Sequence, residues 1–301
     1  MEFIKSGKVK EIYNAGENEL EFLFTDNVSV FDCIIPRKIP NKGETLCRTS
    51  AFWFEKLKEV GINSHFIRLS APNKMRVKKV NVIYDYDKID SQTVNYLIPL
   101  EIIARYYVAG SLFRRIKKGK IKPSELGFDE NYDVKYGDKL PVPFIECTTK
   151  LEEYDMELTD EEAVKMAGLT ADEFENLKKT VLKIDNFIAE NIKKNNLIHV
   201  DGKKEFAFDE NRNLIIIDTF GTMDEDRFWD EEEYNKGNII ELSKEFVRTY
   251  YEKTGFKDEI EKAKEDGMKL PKIGPLPDEL VEKTSKLYTS MFERLTGDVF
   301  Q

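Results

Sequence analysis

Two strand-like segments separated by a short polar loop constrain the fold of this chain more than any other stretch: Leu197–Asp209 and Leu214–Phe220. Their branched and aromatic residues, joined by Glu-Asn-Arg-Asn, are typical of a β-hairpin. With a four-residue loop over Glu210–Asn213, Asp209 faces Leu214, and every later cross-strand pair follows from that register. The sequence therefore predicts two antiparallel strands in the second half of the chain.

This register predicts one apolar and one charged face for the hairpin. The apolar face pairs Phe208 with Ile215 and Phe206 with Ile217, and the other carries His199, Asp201, Lys203 and Glu205 beside Ile216, Asp218 and Phe220. Glu205 then lies opposite Asp218, and facing carboxylates repel each other unless a cation lies between them. That cation could be Lys203 or a divalent metal, since Mg²⁺ prefers carboxylate, water and phosphate oxygens. A solvated face with two unrelated acids is the alternative.

Short strands also dominate the first hundred residues. The predicted strands are Lys8–Asn14, Glu19–Thr25, Val28–Ile35, His65–Leu69 and Met75–Tyr84. The first two flank an Ala-Gly-Glu-Asn turn, as in a hairpin. One helix, near Ser50–Val60, interrupts them. We therefore predict a mainly antiparallel β lobe over residues 1–98.

Helical periodicity appears in the later part of the chain. Thr170 and Glu173 have the spacing of a capping box and precede a long amphipathic pattern. Two more amphipathic helices are predicted at Ile240–Tyr251 and Asp278–Leu295, each followed by a glycine. The expected fold class is α+β, in which a larger mixed lobe over residues 99–301 ends in helices.

Charge and cysteine content exclude several classes of protein. The formal net charge of −10 disfavours a nucleic-acid binder, whose affinity comes from neutralising phosphates. No apolar run approaches the roughly 18 residues of a membrane span, and the polar segment Met1–Lys10 is unlike a signal peptide. We therefore expect a cytoplasmic protein without a membrane partner. The three cysteines are too far apart to suggest a zinc site or a disulfide framework.

Several basic residues are weaker candidates for anion binding. Lys8 and Lys10, in Ser-Gly-Lys-Val-Lys before a strand, could contact phosphates, although these residues alone favour a solvated strand. Arg105 lies within an apolar run that leads to Ser111, so its charge needs a carboxylate or an anionic ligand as partner. Arg227, before Phe-Trp, needs a partner for the same reason. The two histidines, at 65 and 199, are expected to be structural.

The order of these motifs along the chain resembles the SAICAR synthetase family. The N-terminal half contributes Gly7–Tyr13, Thr25–Asp32, Ile39–Gly43, Phe52–Phe54, Ile98–Glu101 and Arg105–Ser111. The C-terminal half contributes Thr148–Lys150, Val200–Phe206, Ile217–Asp218, Arg227–Trp229, Leu276–Pro277 and Leu295–Gly297. No single motif is specific, but together they extend from residue 7 to about residue 298 in the family's order.

The resemblance implies a two-lobed ligase that uses ATP and Mg²⁺ in purine biosynthesis. Residues 1–98 would then form the nucleotide-phosphate side, and residues 99–301 would hold the metal, nucleotide and substrate sites. Its small-molecule substrates would be ATP, a carboxyaminoimidazole ribonucleotide and aspartate, with activation of the ribonucleotide carboxylate as an acyl phosphate. Phosphoryl transfer of this kind requires positioned cations around the phosphates. The oligomeric state and the order of binding stay open.

The resemblance also implies roles for individual residues. Contact with ATP is implied for Lys8, Lys10 and Lys150, and Mg²⁺ binding for Glu205 and Asp218 with help from Asp201. Lys203 would lie beside the metal ligands and, with Asp201 and Asp155, would serve catalysis. Ribonucleotide binding is implied for Arg105, Ser111 and Arg227.

The chain departs from the family pattern beside these positions. The changed residues are Asn27, Tyr106, Tyr154, Ala207 and Thr219, where the family usually has Arg, Gly, His, Gly and Glu. Tyr106, the bulkiest change, is predicted to reshape a pocket. These departures leave two alternatives to the family reaction, namely a divergent ATP-dependent ligase or kinase for another small metabolite and a non-catalytic nucleotide-binding protein.

Overall fold

The computed structural model of the chain describes residues 1–31, 33–152 and 154–301. Asp32, the last residue of the motif Thr25–Asp32, and Glu153 lie outside the described residues, as do the side chains of Glu245 and Lys264. All statements about the fold below concern the described part.

The N-terminal region is an antiparallel sheet, as the strand pattern predicts. Its strands are β1 (Glu2–Ser6), β2 (Lys10–Asn14), β3 (Glu19–Phe24), β6 (Phe66–Ala71) and β7 (Lys74–Lys78), paired in the order β1-β2-β3-β7-β6. A short hairpin, β4 (Ser29–Val30) with β5 (Cys33–Ile34), replaces the longer strand expected over Val28–Ile35. The sequence analysis missed β1 and extended β7 too far, to Tyr84.

A second antiparallel sheet follows. Its strands are β8 (Tyr96–Tyr107), β9 (Lys139–Thr149), β10 (Glu157–Leu158), β11 (Leu197–Phe208), β12 (Leu214–Ile217) and β13 (Asp226–Asp230). They pair in the order β10-β9-β8-β11-β12, and β13 pairs with the other end of β11. The long strand β11 therefore lies at the centre, between β8 on one side and β12 and β13 on the other. The predicted lobe boundary between residues 98 and 99 stays a prediction, although β8 begins two residues before it.

The helices are α1 (Lys42–Glu59), α2 (Gly110–Lys117), α3 (Asp160–Ala167), α4 (Ala171–Lys193), α5 (Glu231–Asn235), α6 (Glu245–Lys253), α7 (Phe256–Glu265) and α8 (Asp278–Thr296). The predicted capping box is present at the start of α4, where Thr170 Oγ1 accepts a hydrogen bond from Glu173 N at 3.2 Å. The predicted α8 is also present, but α1 begins eight residues before the expected Ser50, and α6 begins at 245 instead of 240. None of the helices that the structure describes has the length and apolar character needed to cross a membrane.

One apolar core connects the two sheets. Phe22 of β3, Phe54 of α1 and Phe206 of β11 belong to it, together with Phe220 after β12. Backbone hydrogen bonds from His65 N to Ile216 O (3.1 Å) and from Ile216 N to Asn63 O (3.0 Å) also connect the entrance of β6 to β12. The front of the second sheet, the face that carries Lys203 and Glu205, is therefore held at a fixed position relative to β2.

The predicted register of the β11–β12 hairpin is wrong by one residue. Phe208 pairs with Leu214 and Glu205 pairs with Ile217, so Asp218 is not opposite Glu205. The loop has one more residue than expected because the Asp209 carboxylate accepts hydrogen bonds from Asn211 N and Asn213 N at 2.9 and 2.8 Å. Arg212 adopts the left-handed conformation, with φ of 58°, which lets the chain return after the extra residue.

Candidate functional site

The candidate site begins with a row of charged side chains on one face of strands β8 and β11. Asp201, Lys203 and Glu205 alternate along β11, so their side chains point to the same face. On β8, Arg105 pairs with Asp201 and Glu101 pairs with Glu205. The register of these two strands therefore places five charged groups side by side on the front of the sheet.

Lys203 lies between two facing carboxylates. These belong to Glu205 and Glu101, and not to Glu205 and Asp218 as predicted. Lys203 Nζ lies 2.8 Å from Glu101 Oε1, 3.0 Å from Glu205 Oε1 and 3.3 Å from Glu225 Oε2. Burial works against the charge on this lysine, but the attraction of the three carboxylates outweighs it and holds the Lys203 pKa well above its usual range. Lys203 is therefore a permanent cation in the site.

Two further lysines complete this group. Lys150, just after β9, contacts the buried carboxylate of Glu205, and Lys10, the first residue of β2, contacts Asp218. Burial opposes ionisation of Glu205, yet Lys150 and Lys203 outweigh it and lower its pKa. We call the set Lys10, Lys150, Lys203, Glu101, Glu205 and Asp218 the lysine cluster.

Asp218 owes its position to the end of strand β12. It follows Ile217 with φ of 61°, a left-handed conformation in which Asp and Asn are the best tolerated residues after glycine. This conformation ends the strand and turns the chain at Asp218, whose carboxylate meets Lys10 of the other sheet. Lys10 and Asp218 thus bring the two sheets together at the site.

Cavities open on both sides of the Lys10–Asp218 pair. A cavity of about 510 Å³ extends between the sheets and reaches Lys150 and Glu205. Its apolar walls include Ile12, Leu20, Phe22, Val80, Leu97 and Ile217. A smaller cavity of about 150 Å³ is lined by Gly7, Lys8, Lys10, Asp218 and Glu225, among others. The lysine cluster therefore lies between an apolar space and a small polar one.

A second group of charges occupies the other end of the same face. Asp201 Oδ2 lies 3.4 Å from Arg105 Nη1 and 3.3 Å from Arg227 Nε. Arg105 also donates to Glu146 (2.7 Å) and to Ser111 Oγ (3.1 Å), at the start of α2. Arg227 donates to both oxygens of Glu241, at 2.8 and 2.7 Å. We call Arg105, Arg227, Asp201, Glu146, Glu241 and Ser111 the arginine cluster.

The structure thus divides the predicted site residues between the two clusters. Asp201 lies with the arginines, four residues from Glu205, which is about 13 Å along an extended strand. Lys8 is exposed beside the small cavity. Asp155 is exposed on the segment between β9 and β10, and among the described residues no hydrogen bond or ion pair joins it to either cluster.

The prediction that Tyr106 reshapes a pocket is wrong. Tyr106 points to the rear of the sheet, where its hydroxyl donates to Asp185 Oδ2 of α4 at 3.0 Å. Adjacent residues of a strand face opposite ways, so its neighbour Arg105 can lie in the site while Tyr106 packs against α4. The tyrosine in place of glycine therefore changes the core and not the front cavities.

Asp185 belongs to a fully buried charge network behind β11. Lys204 Nζ contacts Asp185 and lies 2.7 Å from Asp226 Oδ2, and His199 Nε2 lies 2.7 Å from the same oxygen. These three acidic and imidazole groups have the spacing of a metal site. The ammonium group of Lys204 contacts both carboxylates and so supplies the positive charge that a metal ion would otherwise provide. We call Asp185, His199, Lys204 and Asp226 the rear network.

Sequence reasoning missed several members of the site. Glu101, Glu146 and Glu241 are partners of the predicted lysine and arginines, and Glu225 faces the same cavity as Asp218. The need of Arg105 for a partner was visible, but nothing in the sequence indicated which acid would supply it. For Glu225, the only signal in the sequence is the acid-rich stretch 224–233, whose composition is typical of a solvated surface.

Comparisons with known proteins agree with this architecture. The family model described as SAICAR synthetase matches residues 3–263. A curated relative from Thermoplasma volcanium, named phosphoribosylaminoimidazole-succinocarboxamide synthase, is 49% identical over 297 residues, which cover 99% of each chain. The protein of the same name from Thermoplasma acidophilum is 48% identical over 297 residues, again with 99% of each chain covered.

Solved structures show the same fold. The SAICAR synthase from Saccharomyces cerevisiae, complexed with SAICAR, superposes with a TM-score of 0.76 at 23% identity, covering 99% of this chain and 96% of the yeast chain. A SAICAR synthetase in complex with ADP has a TM-score of 0.70 at 24% identity over the full length of both chains. The extent of the family match and the identity to curated relatives lead to one conclusion: this chain belongs to the SAICAR synthetase family.

Proposed function

We propose that this chain is an ATP- and Mg²⁺-dependent ligase that joins the amine of aspartate to the carboxylate of carboxyaminoimidazole ribonucleotide. The observation that carries the proposal is the alignment of the lysine and arginine clusters on one face of strands β8 and β11. A ligase of this kind must bring a triphosphate and an anionic acceptor together. One face that carries three lysines in one group and two arginines in another meets that requirement.

ATP is assigned to the lysine cluster and the two cavities beside it. The larger cavity has apolar walls suited to a purine base, and Lys10 and Lys150 lie where the phosphates would follow. Lys8 and Lys10 also line the smaller cavity, so both can contact phosphate oxygens there. The pKa of Lys10 is lowered to about 8 by burial, and a bound phosphate would favour its charged form.

The residues present fit a magnesium ion. Glu205 and Asp218 supply hard carboxylate oxygens, and both line the larger cavity. Bound there, Mg²⁺ would neutralise charge on the phosphates and on the oxygens that develop charge in phosphoryl transfer. Each of the two acids now contacts a lysine, and those lysines become available to the phosphates when the acids bind the metal.

The ribonucleotide is assigned to the arginine cluster. Arginine binds phosphate and carboxylate through two parallel hydrogen bonds, and Ser111 Oγ beside Arg105 adds a polar group. Asp201 lies between Arg105 and Arg227 and orients both. We therefore assign Asp201 to acceptor binding, since its place among the arginines separates it from Glu205. Asp155 remains a candidate for contact with substrate on the segment that follows Lys150.

The proposed reaction takes place along the charged side chains on the front of strands β8 and β11. The acceptor carboxylate attacks the γ-phosphorus, ADP leaves, and an acyl phosphate forms close to Lys203, whose fixed charge stabilises the transferred phosphoryl group. The aspartate amine next attacks the acyl carbon, and phosphate leaves with the electron pair of the C–O bond. The amine loses a proton, and the amide product remains.

The test is an ADP-release assay with Mg-ATP, carboxyaminoimidazole ribonucleotide and aspartate, in which each component is omitted in turn. We expect turnover only when all three are present, with the succinocarboxamide as product. ADP release without that product would favour the divergent ligase or kinase. Nucleotide binding without any turnover would favour a non-catalytic protein.

A further inference from the structure

The loop between β12 and β13 brings three carboxylates, those of Asp218, Asp224 and Glu225, to the small cavity. Asp218 begins the loop and Glu225 lies near its end, and both line the cavity with Lys8, Lys10 and Thr219. Thr219 Oγ1 lies 3.4 Å from Glu225 Oε1. The family usually has an acid where this chain has Thr219, so the carboxylate of Glu225 lies beside the position where that acid is missing.

The backbone of the loop fixes the position of Glu225. Glu225 N and Asp226 N both donate to Thr222 O, at 3.2 and 2.8 Å, which closes a tight turn. Gly221 N donates to Asp226 Oδ1 at 2.8 Å, and Lys203 N donates to Glu225 O at 3.2 Å. The orientation of Glu225 is therefore tied to β11 and to the rear network.

The neighbouring acid has a different role. Asp224 also reaches the small cavity, but its oxygens are held by Lys42 at 2.7 Å and by Tyr288 at 2.5 Å, so it connects α1 to α8. Glu225 has a looser set of partners. Its contact with Lys203, at 3.3 Å, is longer than those of Glu101 and Glu205 with the same lysine.

The small cavity also contains an unsatisfied buried hydroxyl. Thr222 is 1% exposed and lines the cavity, and its Oγ1 has no hydrogen-bond partner among the described residues. A buried hydroxyl without a partner costs free energy unless a ligand or a water supplies one. This independent observation indicates that the cavity takes a polar ligand.

We propose that Glu225 is a metal-ligating residue of this site and that it shares with Asp218 the Mg²⁺ bound to the nucleotide phosphates. This inference deepens the proposed function and rests on it. Glu225 supplies from the far end of the loop the carboxylate that the family usually has at position 219. Thr222 Oγ1 offers a further oxygen to a water on the ion or to a phosphate.

The test measures the affinity for ADP by calorimetry with and without Mg²⁺, in the full chain and its variants. Wild type should bind ADP more tightly with Mg²⁺, and E225Q should lower the ratio of the two affinities about tenfold or more. Because the change removes a negative charge near the phosphates, metal-free ADP should bind at least as tightly to E225Q as to wild type. Binding of Mn²⁺ with ADP, followed by electron paramagnetic resonance, should weaken in parallel.

Glu101→Gln is the matched control, since it removes another carboxylate from Lys203. If Glu225 acts only by holding Lys203, E225Q and E101Q should change the ratio of the two ADP affinities equally. That result would overturn the inference. An unchanged ratio in E225Q alone also overturns it, while turnover of wild type would leave the proposed function standing. If wild-type ADP binding shows no dependence on Mg²⁺, both the inference and the metal requirement of the proposed function fail.

A second variant tests whether the position of the carboxylate matters. Thr219→Glu in the E225Q background places an acid where the family usually has one, next to the site vacated by Glu225. We expect this double variant to recover most of the lost Mg²⁺ dependence. A double variant that folds, as judged by circular dichroism, but remains like E225Q would contradict the relocation of the carboxylate.

Discussion

Strand β11 presents charged side chains to both faces of its sheet, and the two faces differ in their access to ligands. On the front, Lys203 and Glu205 belong to a cluster that borders two cavities. At the rear, Lys204 and its partners Asp185 and Asp226 have fully buried side chains. Successive residues of one strand therefore serve different purposes.

The two faces differ in whether a charged side chain can exchange its protein partner for a ligand. A front carboxylate that leaves its lysine can take a metal ion, and the lysine can take a phosphate, so the ion pairs are replaced by equivalent contacts. The rear charges have no access to solvent or ligand, and a broken pair there leaves an uncompensated charge in a medium of low dielectric constant. The front is therefore suited to binding, and the rear to holding β11, α4 and β13 together.

The largest expected effect is on stability and comes from the rear. Lys204→Met leaves Asp185 and Asp226 without their cation, so we expect the free energy of unfolding to fall by about 3–5 kcal/mol. Urea denaturation measures it. Adding Asp185→Asn should restore part of the loss, because one of the two uncompensated charges is then removed. Lys203→Met on the partly exposed front should cost clearly less, and equal losses would erase the distinction between the faces.

The largest expected effect on activity comes from the front. Asp218→Asn removes a proposed metal ligand but keeps a residue that tolerates the left-handed conformation, so the fold should persist. We expect turnover to fall by about 10²- to 10³-fold with little change in the unfolding midpoint. Steady-state kinetics measure the turnover, and thermal denaturation measures the unfolding midpoint. Full activity in this variant would remove Asp218 from the metal site.

The arginine cluster should affect binding of the ribonucleotide more than binding of ATP. Arg105→Ala removes charge-assisted hydrogen bonds to an anionic substrate, so we expect the apparent KM for the ribonucleotide to rise about tenfold or more. The KM for ATP should change much less, because ATP is assigned to the lysine cluster. An unchanged ribonucleotide KM would remove Arg105 from the site.

The smallest effect concerns pH and a buried side chain between the two sheets. Burial, aided by repulsion from Lys10, lowers the pKa of His65 to about 3, far below its value in the unfolded chain. The unfolded state therefore binds more protons below about pH 6.5, and the unfolding free energy should fall by about 1.4 kcal/mol for each pH unit from there toward pH 4. His65→Gln should flatten this dependence in urea titrations. If the unfolding free energy changes with pH equally in wild type and in His65→Gln, the buried neutral His65 is not the cause of the pH dependence.

Local pattern was enough to predict much of the fold. The capping box at Thr170, the apolar spacing of α4 and the turn between β2 and β3 are short-range features, and each appears in the structure where the pattern placed it. Residues whose chemistry requires a partner were also recognisable. Lys203, Glu205 and Arg105 were identified because their charges, on strands with apolar neighbours, needed compensation.

The partners themselves depended on the tertiary structure. Glu205 was predicted to face Asp218, but an Asx-type loop at Asp209 and the left-handed Arg212 shifted the hairpin by one residue, and Glu101 of β8 became its neighbour. Local sequence indicates that a turn is present but not its exact length. A change of one residue in the length of the loop shifts every cross-strand pair of the hairpin.

The sequence by itself therefore determined the two hairpins around residues 15–18 and 210–213, the long helices α4 and α8, the charged residues that must find partners, and the family to which their order belongs. The tertiary structure decided which face each charge occupies, and so which lysine can bind a ligand and which is buried with Asp226. It also placed Glu225 beside Asp218. The physical reason is that periodicity is a local property of the chain, whereas burial and charge compensation depend on contacts between residues far apart in sequence.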